Sequence, residues 1–155
     1  MIDQLIQSHG DRVLALLSRL LGNAEDVKDV YQETWCAVWR ALPRLRPETD
    51  AWPYIRKAAV RKALDWIRSQ GSRPVTTGLP AGAVAAPAEN RQEQRVDLST
   101  LKNEQRVCLT LFFWEGCSVA EIAGELGVPQ GTVKTWMHRA RKELRSQLGE
   151  EEASA

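Results

Sequence analysis

Three stretches before residue 70 carry apolar residues at three- and four-residue spacing, which predicts three amphipathic helices. The apolar positions of the first helix are Val13, Leu16, Leu17, Leu20 and Ala24. Those of the second are Val27, Val30, Tyr31, Thr34, Trp35, Val38, Trp39 and Leu42. Those of the third are Ile55, Ala59, Ala63, Trp66 and Ile67. We expect these three faces to share one small core within residues 1–70.

Breaker and capping residues set the predicted limits of these helices. Gly22 interrupts the first apolar stripe, and Asn23 is suited to cap the second helix, because its side chain can accept hydrogen bonds from the first backbone N–H groups. The third helix begins through Thr49 or Asp50. Pro53 is tolerated in its first turn, where a backbone N–H has no intrahelical partner.

A change of composition separates this block from a second one. Residues 71–90 are rich in glycine, alanine and proline and lack apolar periodicity, so we predict a flexible linker over residues 71–96. The helical pattern resumes over residues 97–149, and we expect a disordered tail over residues 150–155. The apolar positions of the second block are Leu101, Val107, Leu109, Leu111, Phe112, Ile122, Ala123, Leu126, Val133, Trp136, Met137, Ala140 and Leu144. The predicted fold class is all-α, with two small helical domains joined by a flexible linker.

Residues 118–148 show the pattern of a helix-turn-helix. Ser118 and Glu121 form a capping box that begins a short helix. Gly127 can end this helix, because glycine readily takes the left-handed conformation. A long basic helix then runs from about Gln130 to residue 148. In such a motif the second helix enters the major groove of DNA.

The basic helix contains two predicted groups of DNA contacts. The residues nearer its start are placed to reach base edges: Thr132, Lys134, Thr135, His138 and Arg139. The residues further along are better placed for phosphates: Arg141, Lys142 and Arg145. The competing interpretation is a solvated basic helix on an ordinary bundle, with no DNA partner.

The net charge of +1 hides an uneven distribution along the chain. Residues 1–33 carry six acidic and three basic side chains. Residues 54–73 carry six basic and one acidic side chain, and residues 130–148 carry five basic and one acidic. One acidic and two basic segments imply at least two kinds of partner.

Several classes of protein are excluded by what the sequence lacks. No apolar run approaches the roughly 18 residues needed to cross a bilayer, and the first residues lack the pattern of a signal peptide. We therefore expect a cytoplasmic protein without membrane insertion. His9 and His138 lie far apart, and no catalytic motif, phosphate-binding glycine loop or metal-ligand spacing accompanies them. We expect no enzymatic activity, cofactor, metal or small-molecule substrate.

The three cysteines form no CxxC pair. Cys36, Cys108 and Cys117 each lie within or beside an apolar helical pattern, which favours buried or incidental thiols. A redox pairing of Cys108 with Cys117 is the alternative.

Three segments resemble segments of a known family, and they follow one another along the chain in the family's order. The segment EIAGELGVPQGTVKTWMHRARKELR resembles the promoter −35-binding domain of the extracytoplasmic-function (ECF) bacterial RNA polymerase sigma factors. KDVYQETWCAVWRAL is similar to the segment by which sigma factors bind the polymerase. YIRKAAVRKALDWIRS looks like the helix that reads and melts the −10 element. The resemblance implies that residues 1–70 form sigma region 2 and residues 97–149 form sigma region 4.

The resemblance also implies site residues in the first domain. Asp29, Gln32 and Glu33 would face a coiled coil of the largest polymerase subunit, although these polar residues could also form an ordinary solvated face. Cations with nearby aromatic rings hold single-stranded DNA, so the best candidate for the −10 contacts is the loop of residues 43–53 with the helix that follows it. The predicted contact residues are Trp52, Lys57, Arg61 and Lys62. Trp52 has a competing interpretation as a core residue at a helix start.

Two departures from the family pattern concern the −10 helix. Arg61 stands where the family often has asparagine, and Tyr54-Ile55 stands where it often has Trp-Leu. These differences leave the fold expectation unchanged and put the −10 base preference in doubt.

The resemblance implies a sigma factor that directs promoter-specific transcription initiation. Its partners would be core RNA polymerase, promoter DNA and an anti-sigma factor. The main alternative is a stand-alone helix-turn-helix transcriptional regulator of the response-regulator type. Such a protein needs a domain of alternating strands and helices, a pattern that residues 1–70 do not show. A structural interaction protein is a further alternative, but it leaves the basic helix without a purpose.

Overall fold

The computed structural model describes residues 1–46, 50–70 and 98–154. Every regular element in these ranges is helical, which confirms the predicted all-α class. The chain divides into two compact units, residues 1–90 and 91–155. The predicted linker and the predicted start of the second domain lie outside the described residues.

Three helices form the first unit: α1 (Ile2–Leu21), α2 (Ala24–Ala41) and α3 (Trp52–Ser69). Each of them contacts the other two, so they enclose a common core. A 3₁₀ turn, Leu42–Arg44, follows α2. The buried apolar side chains of this unit are Val13, Leu16, Leu17, Leu20, Leu21, Val27, Val30, Trp35, Val38, Trp52, Ile55, Ala59, Val60 and Ala63.

The junction between α1 and α2 has the predicted caps. Gly22 is left-handed, with φ at 75°, and its N–H donates to the carbonyl of Ser18 at 3.0 Å. The side chain of Asn23 accepts hydrogen bonds from the backbone N–H groups of Glu25 at 2.9 Å and Asp26 at 3.3 Å. These bonds use N–H groups that a helix start leaves without partners, so the sequence fixes the junction locally.

The start of α3 uses one of the two residues that the sequence offered. The carboxylate of Asp50 accepts a hydrogen bond from the N–H of Trp52 at 3.1 Å. Thr49, the alternative, lies outside the described residues. Pro53 occupies the first turn as predicted, where its missing N–H breaks no helical hydrogen bond.

The predicted apolar faces are wrong at a few positions. Ala24 belongs to the first turn of α2 and is exposed. The side chain of Trp39 is 63% exposed, because it is rotated by about 100° from the fully buried Val38 toward solvent. Val60 is fully buried although it was missing from the predicted face. Because α3 packs against two helices, its buried face is wider than the apolar stripe suggests.

The second unit contains α4 (Asn103–Phe113), α5 (Val119–Leu126) and α6 (Gln130–Ser154). A 3₁₀ turn, Leu98–Thr100, precedes α4, and α6 packs against both shorter helices. The side-chain amide of Gln147 donates to the hydroxyl of Thr100, which ties α6 to that turn. The buried apolar side chains are Leu101, Val107, Cys108, Leu109, Leu111, Cys117, Ile122, Ala123, Val133, Met137 and Ala140.

The end of α6 corrects the predicted boundary. The helix continues to Ser154, past the predicted end at residue 148 and into the segment predicted to be disordered. Glutamate and alanine, which dominate this segment, are good helix formers. No helix in the described ranges is long and apolar enough to cross a membrane.

A buried arginine organises the start of α4. Arg106 is 1% exposed, and its guanidinium donates hydrogen bonds to the side chain of Asn103 at 2.7 Å and to the carbonyl of Leu101 at 3.4 Å. Burial lowers the pKa of this guanidinium, and the negative charge of Glu104 opposes the shift. The hydrogen bonds compensate part of the cost of burying the charge, so Arg106 links α4 to the residues that precede it.

Cys108 and Cys117, the cysteines of the second unit, are buried thiols. Burial raises the pKa of the Cys108 thiol to about 12, and the charge of Glu104 acts in the same direction. The thiol therefore stays protonated at neutral pH, and thiols in this form are poor nucleophiles. This environment favours a packing role for Cys108 over redox chemistry with Cys117. Cys36, on α2, is exposed.

Gly10 of α1 lies against the hydroxyl of Tyr31 on α2. A Cβ atom added there would lie 2.9 Å from the hydroxyl oxygen of Tyr31. Gly10→Ala should favour the helix by about 0.5–1 kcal/mol, since glycine is a poor helix former. We nevertheless expect it to destabilise the first unit, because the half-buried Tyr31 must move to relieve the overlap.

The pair can be tested by a double-mutant cycle read out by urea unfolding. In a Tyr31→Phe background, the overlapping hydroxyl is absent, so Gly10→Ala should become neutral or stabilising. An equal cost in both backgrounds would show that Tyr31 is not what requires glycine at this position.

Candidate nucleic-acid interface

The helix-turn-helix begins with a side-chain cap. The hydroxyl of Ser118 accepts a hydrogen bond from the N–H of Glu121 at 3.1 Å and donates one to its carboxylate at 3.3 Å. Glu121 thus lies where the predicted capping box puts it, with its carboxylate bonded to the hydroxyl. The cap fixes the first turn of α5.

The turn between α5 and α6 depends on a left-handed glycine. Gly127 has φ at 68°, and its N–H donates to the carbonyl of Ala123. The N–H of Val128 donates to the same carbonyl at 3.1 Å. Two residues later α6 begins, with the N–H of Val133 bonded to the carbonyl of Pro129 at 3.3 Å. This short connection lets α5 and α6 pack together, with Ala123 buried between neighbouring side chains.

Three of the five residues predicted to face inward on α6 are buried, whereas Trp136 and Leu144 are half-buried. Val133, Met137 and Ala140 are buried at three- and four-residue spacing. Thr132 is half-buried. The other residues predicted to contact DNA are exposed: Lys134, Thr135, His138, Arg139, Arg141, Lys142 and Arg145. The arrangement leaves a basic, polar surface on the side of α6 opposite the core.

Two of these residues also have partners within the unit. The hydroxyl of Thr135 donates to the carbonyl of Gly131 at 3.0 Å. The guanidinium carbon of Arg141 lies 5.4 Å from the ring centre of Phe112 and 5.7 Å from that of Phe113. These are cation–π distances, so Arg141 has a structural partner besides any phosphate.

The −10 residues predicted on α3 divide into separate groups. Lys57 and Arg61 are four residues apart and therefore lie on one side of the helix. Arg61 is exposed and Lys57 is half-buried. Lys62 follows Arg61 directly, so it is rotated by about 100° away from it. The structure therefore brings Lys57 and Arg61 together and leaves Lys62 on a different side.

Trp52 belongs to the core of the first unit. Its side chain is 4% exposed, and the guanidinium carbon of Arg12 lies 3.9 Å from its ring centre. The ring of His9 is 5.8 Å away at an interplanar angle of 31°. A ring packed in this way would have to leave the core to stack on a DNA base. This burial favours the core interpretation of Trp52, and its −10 contact stays a prediction.

Tyr54 is an exposed aromatic residue on α3 that was not among the predicted −10 contacts. It is 38% exposed, and it precedes Lys57 by three residues and Arg61 by seven, so all three lie on one side of α3. The signal was present in the sequence, because Tyr54 stands where the resemblance expects an aromatic residue. Periodicity separates the two rings, because Trp52 precedes Ile55 by three residues and Ala59 by seven, which places it on the buried side of α3.

Helix α2 presents an acidic face with an aromatic residue. Asp29, Gln32 and Glu33 are exposed, whereas Val30 and Thr34 beside them are fully buried. Trp39 follows Gln32 by seven residues, which places both on the same side of the helix, two turns apart. Arg40 is exposed and follows Glu33 by seven residues, so the face combines the two carboxylates with a large apolar ring and one cation at its C-terminal end.

Comparison with known proteins identifies both units. Residues 5–73 match the family model of sigma-70 region 2, and residues 98–144 match that of sigma-70 region 4. The first match covers α2 and α3 and all of α1 except its first three residues. The second runs from the start of the described second unit into α6. Together the two matches cover most of the chain.

A curated relative supports the same family. The chain is 33% identical to the ECF RNA polymerase sigma factor SigE of Mycolicibacterium smegmatis, over 94% of this chain and 61% of SigE. The chain therefore spans less than two thirds of that relative's length.

Two solved structures share the fold. Sigma factor RpoE from Bartonella quintana, in complex with the anti-sigma factor NepR, gives a TM-score of 0.71 at 18% identity, covering 95% of this chain and 96% of RpoE. CnrH, in complex with the cytosolic domain of CnrY, gives 0.62 at 27% identity, covering 96% and 87%. Regions 2 and 4 match in chain order, and an ECF sigma factor aligns with nearly the whole of this chain. This chain therefore belongs to the ECF subfamily of the sigma-70 family.

Proposed function

We propose that this protein is a sigma factor that binds core RNA polymerase and directs it to initiate transcription at specific promoters. One observation carries the proposal: α6 buries Val133 and Met137 and exposes its basic residues, in a chain whose other unit matches sigma region 2. A stand-alone helix-turn-helix regulator would account for α6 and leave region 2 unexplained. The proposed role is binding and positioning, without catalysis by this chain.

The acidic face of α2 is the proposed polymerase-binding surface. Asp29 and Glu33 can attract a basic partner, and complementary charge speeds association and fixes orientation. Trp39 adds an apolar contact, which charged residues do not supply. Tryptophan is enriched among the residues that contribute most to protein–protein affinity. Burying a ring that is 63% exposed in the free protein would remove apolar surface from water.

The exposed side of α3 is the proposed −10 interface. Proteins hold single-stranded DNA with cations along the backbone and aromatic rings that stack on bases. Tyr54 supplies the ring, and Lys57 and Arg61 supply the cations on the same side. Extracting a base from the duplex costs a few kcal/mol, which stacking and a binding pocket can offset. Lys62 would contact the backbone from a neighbouring side of the helix.

The exposed side of α6 is the proposed −35 interface. Thr132, Lys134, Thr135, His138 and Arg139 lie within the first three turns, from which a recognition helix contacts base edges. Arg141, Lys142 and Arg145 follow, where contacts to phosphates are expected. Phosphate contacts set affinity and salt dependence, whereas base contacts set sequence preference.

The remaining proposals concern regulation and location. RpoE and CnrH were each solved with a partner protein, and NepR is an anti-sigma factor. We propose that an anti-sigma factor also binds this chain. Core polymerase and promoter DNA as partners place its action in the cytoplasm. The proposed function needs no cofactor, metal or small-molecule substrate.

The polymerase-binding face can be tested by charge reversal. Asp29→Lys with Glu33→Lys should weaken binding to core polymerase about tenfold or more, equivalent to about 1.4 kcal/mol, with helicity unchanged because both residues are exposed. Trp39→Ala should also weaken binding. Asp3→Lys with Asp11→Lys makes the same charge change on α1 and should leave affinity unaltered. Affinity for core polymerase is measured by competition. Equal affinities of the α2 and α1 double variants would contradict the assignment.

The −10 interface can be tested at Tyr54. Tyr54→Ala should weaken holoenzyme binding to a single-stranded −10 oligonucleotide, because stacking contributes about 1–3 kcal/mol per base. Tyr54→Phe keeps the ring and should bind nearly as well as the unaltered protein. If both variants lose equal affinity, the hydroxyl rather than stacking is responsible, and an unchanged Tyr54→Ala would remove this face from the interface.

The division of α6 can be tested by two alanine substitutions. Arg139→Ala should lower transcription from the cognate promoter and relax preference at one or two −35 positions, because a good bidentate base contact gives roughly 1–3 kcal/mol of discrimination. Arg145→Ala should weaken binding equally on all sequences and flatten the salt slope by up to about one unit. Holoenzyme binding to promoters mutated at each −35 position, at several salt concentrations, separates the two. Uniform loss from both variants would refute the division.

A further inference from the structure

The first turn of α3 contacts α1 through the ring of Trp52, which lies against Arg12 and His9. Trp52 is the first residue of α3, and Arg12 and His9 belong to α1. The guanidinium carbon of Arg12 lies 3.9 Å from the centre of the Trp52 ring, well within cation–π distance. The side chain of Arg12 is exposed to solvent, whereas that of Trp52 is only 4% exposed. The arginine therefore stacks on the ring of a core residue from the solvent side of the unit.

The position of this contact in the chain gives it a functional consequence. The first turn of a helix lacks the full set of backbone hydrogen bonds, so it unwinds more readily than the interior. At the start of α3 the Asp50 carboxylate bonds to the N–H of Trp52, and the Trp52 side chain packs on α1. Tyr54 lies in this same turn, whereas Lys57 and Arg61 lie in the following turns.

Tyr54 shares a side with Lys57 and Arg61 only while the first turn is helical. Loss of helical geometry at residues 52–54 would change the direction in which the Tyr54 ring leaves the backbone. The cations would stay in place, because Ile55 and Ala59 hold their part of α3 in the core. The aromatic part of the −10 interface is therefore the part that depends on the anchoring of Trp52.

We propose that Arg12 is a positioning residue for DNA binding by α3: by stacking on Trp52 it keeps the first turn folded onto α1, so that Tyr54 stays aligned with Lys57 and Arg61. The inference rests on the proposed −10 role of α3. It assigns a DNA-binding consequence to a residue of α1, outside the helix that makes the contact. Arg12 acts through Trp52 and Tyr54, without touching DNA.

The packing can be tested without DNA. In full-length protein labelled with 5-fluorotryptophan, the ¹⁹F resonance of Trp52 is identified by its absence in Trp52→Phe. Arg12→Leu keeps an apolar stem and removes the cation, and it should shift or broaden the Trp52 resonance. Arg19→Leu removes an arginine from the same helix two turns later and should leave that resonance in place. An unmoved Trp52 resonance in Arg12→Leu would overturn the proposal.

The functional consequence is tested with holoenzyme and a single-stranded −10 oligonucleotide. Arg12→Leu should weaken binding about three- to tenfold, in line with the strength of a cation–π contact, and Arg19→Leu should not. In a Tyr54→Ala background, Arg12→Leu should cause no further loss, because the group that it positions is gone. A loss that persists in that background, with a reduced salt dependence, would mean direct phosphate contact and would refute positioning.

The two experiments distinguish a failure of the positioning role of Arg12 from a failure of the proposed −10 role of α3. If Tyr54→Ala leaves oligonucleotide binding unchanged, the −10 role of this face fails, and the positioning role fails with it. The shifted ¹⁹F resonance would then show that the Arg12–Trp52 contact is structural. If Tyr54→Ala weakens binding but Arg12→Leu does not, the −10 interface stands and only the positioning role is wrong.

Discussion

Burial of one face of each helix is the constraint on which every proposed binding surface depends. In α2, α3 and α6 the apolar residues recur at three- and four-residue spacing and are withdrawn from water, which contributes the main favourable free energy of folding. The remaining face of each helix is then fixed in direction by the packing of the first. Asp29 points outward because Val30 is fully buried, and Lys134 does so because Val133 is.

This dependence explains which parts of the fold and site could be predicted from sequence. Local signals act over a few residues, so Gly22, Asn23, Ser118 and Gly127 take the roles that their chemistry indicates. The exposed basic side of α6 follows from the same periodicity that identifies its core side. These features can be predicted without knowing which helices pack against one another.

Tertiary contacts decide what periodicity leaves open. The width of a buried face depends on how many neighbours the helix has, which is why Val60 is buried and Trp39 is not. Aromatic residues are the hardest cases, because a large ring is stabilised both by a core and by a future interface. Arg106 is a case of the opposite kind, since no sequence pattern marks one arginine among many as buried. Its partners, Asn103 and the carbonyl of Leu101, become evident only once α4 is placed.

The two aromatic residues at the start of α3 show how the chain can depart from its family pattern and still supply one buried and one exposed ring in the same turn. Residues two apart on a helix are separated by about 200°, so Trp52 and Tyr54 face nearly opposite sides. With Trp52 filling the core, the position expected to hold tryptophan is free to expose a smaller, polar-tipped ring beside Lys57 and Arg61. Because one short turn carries both the core ring and the exposed ring, the anchoring of Trp52 on α1 also sets the direction of Tyr54, on which its proposed contact with DNA depends.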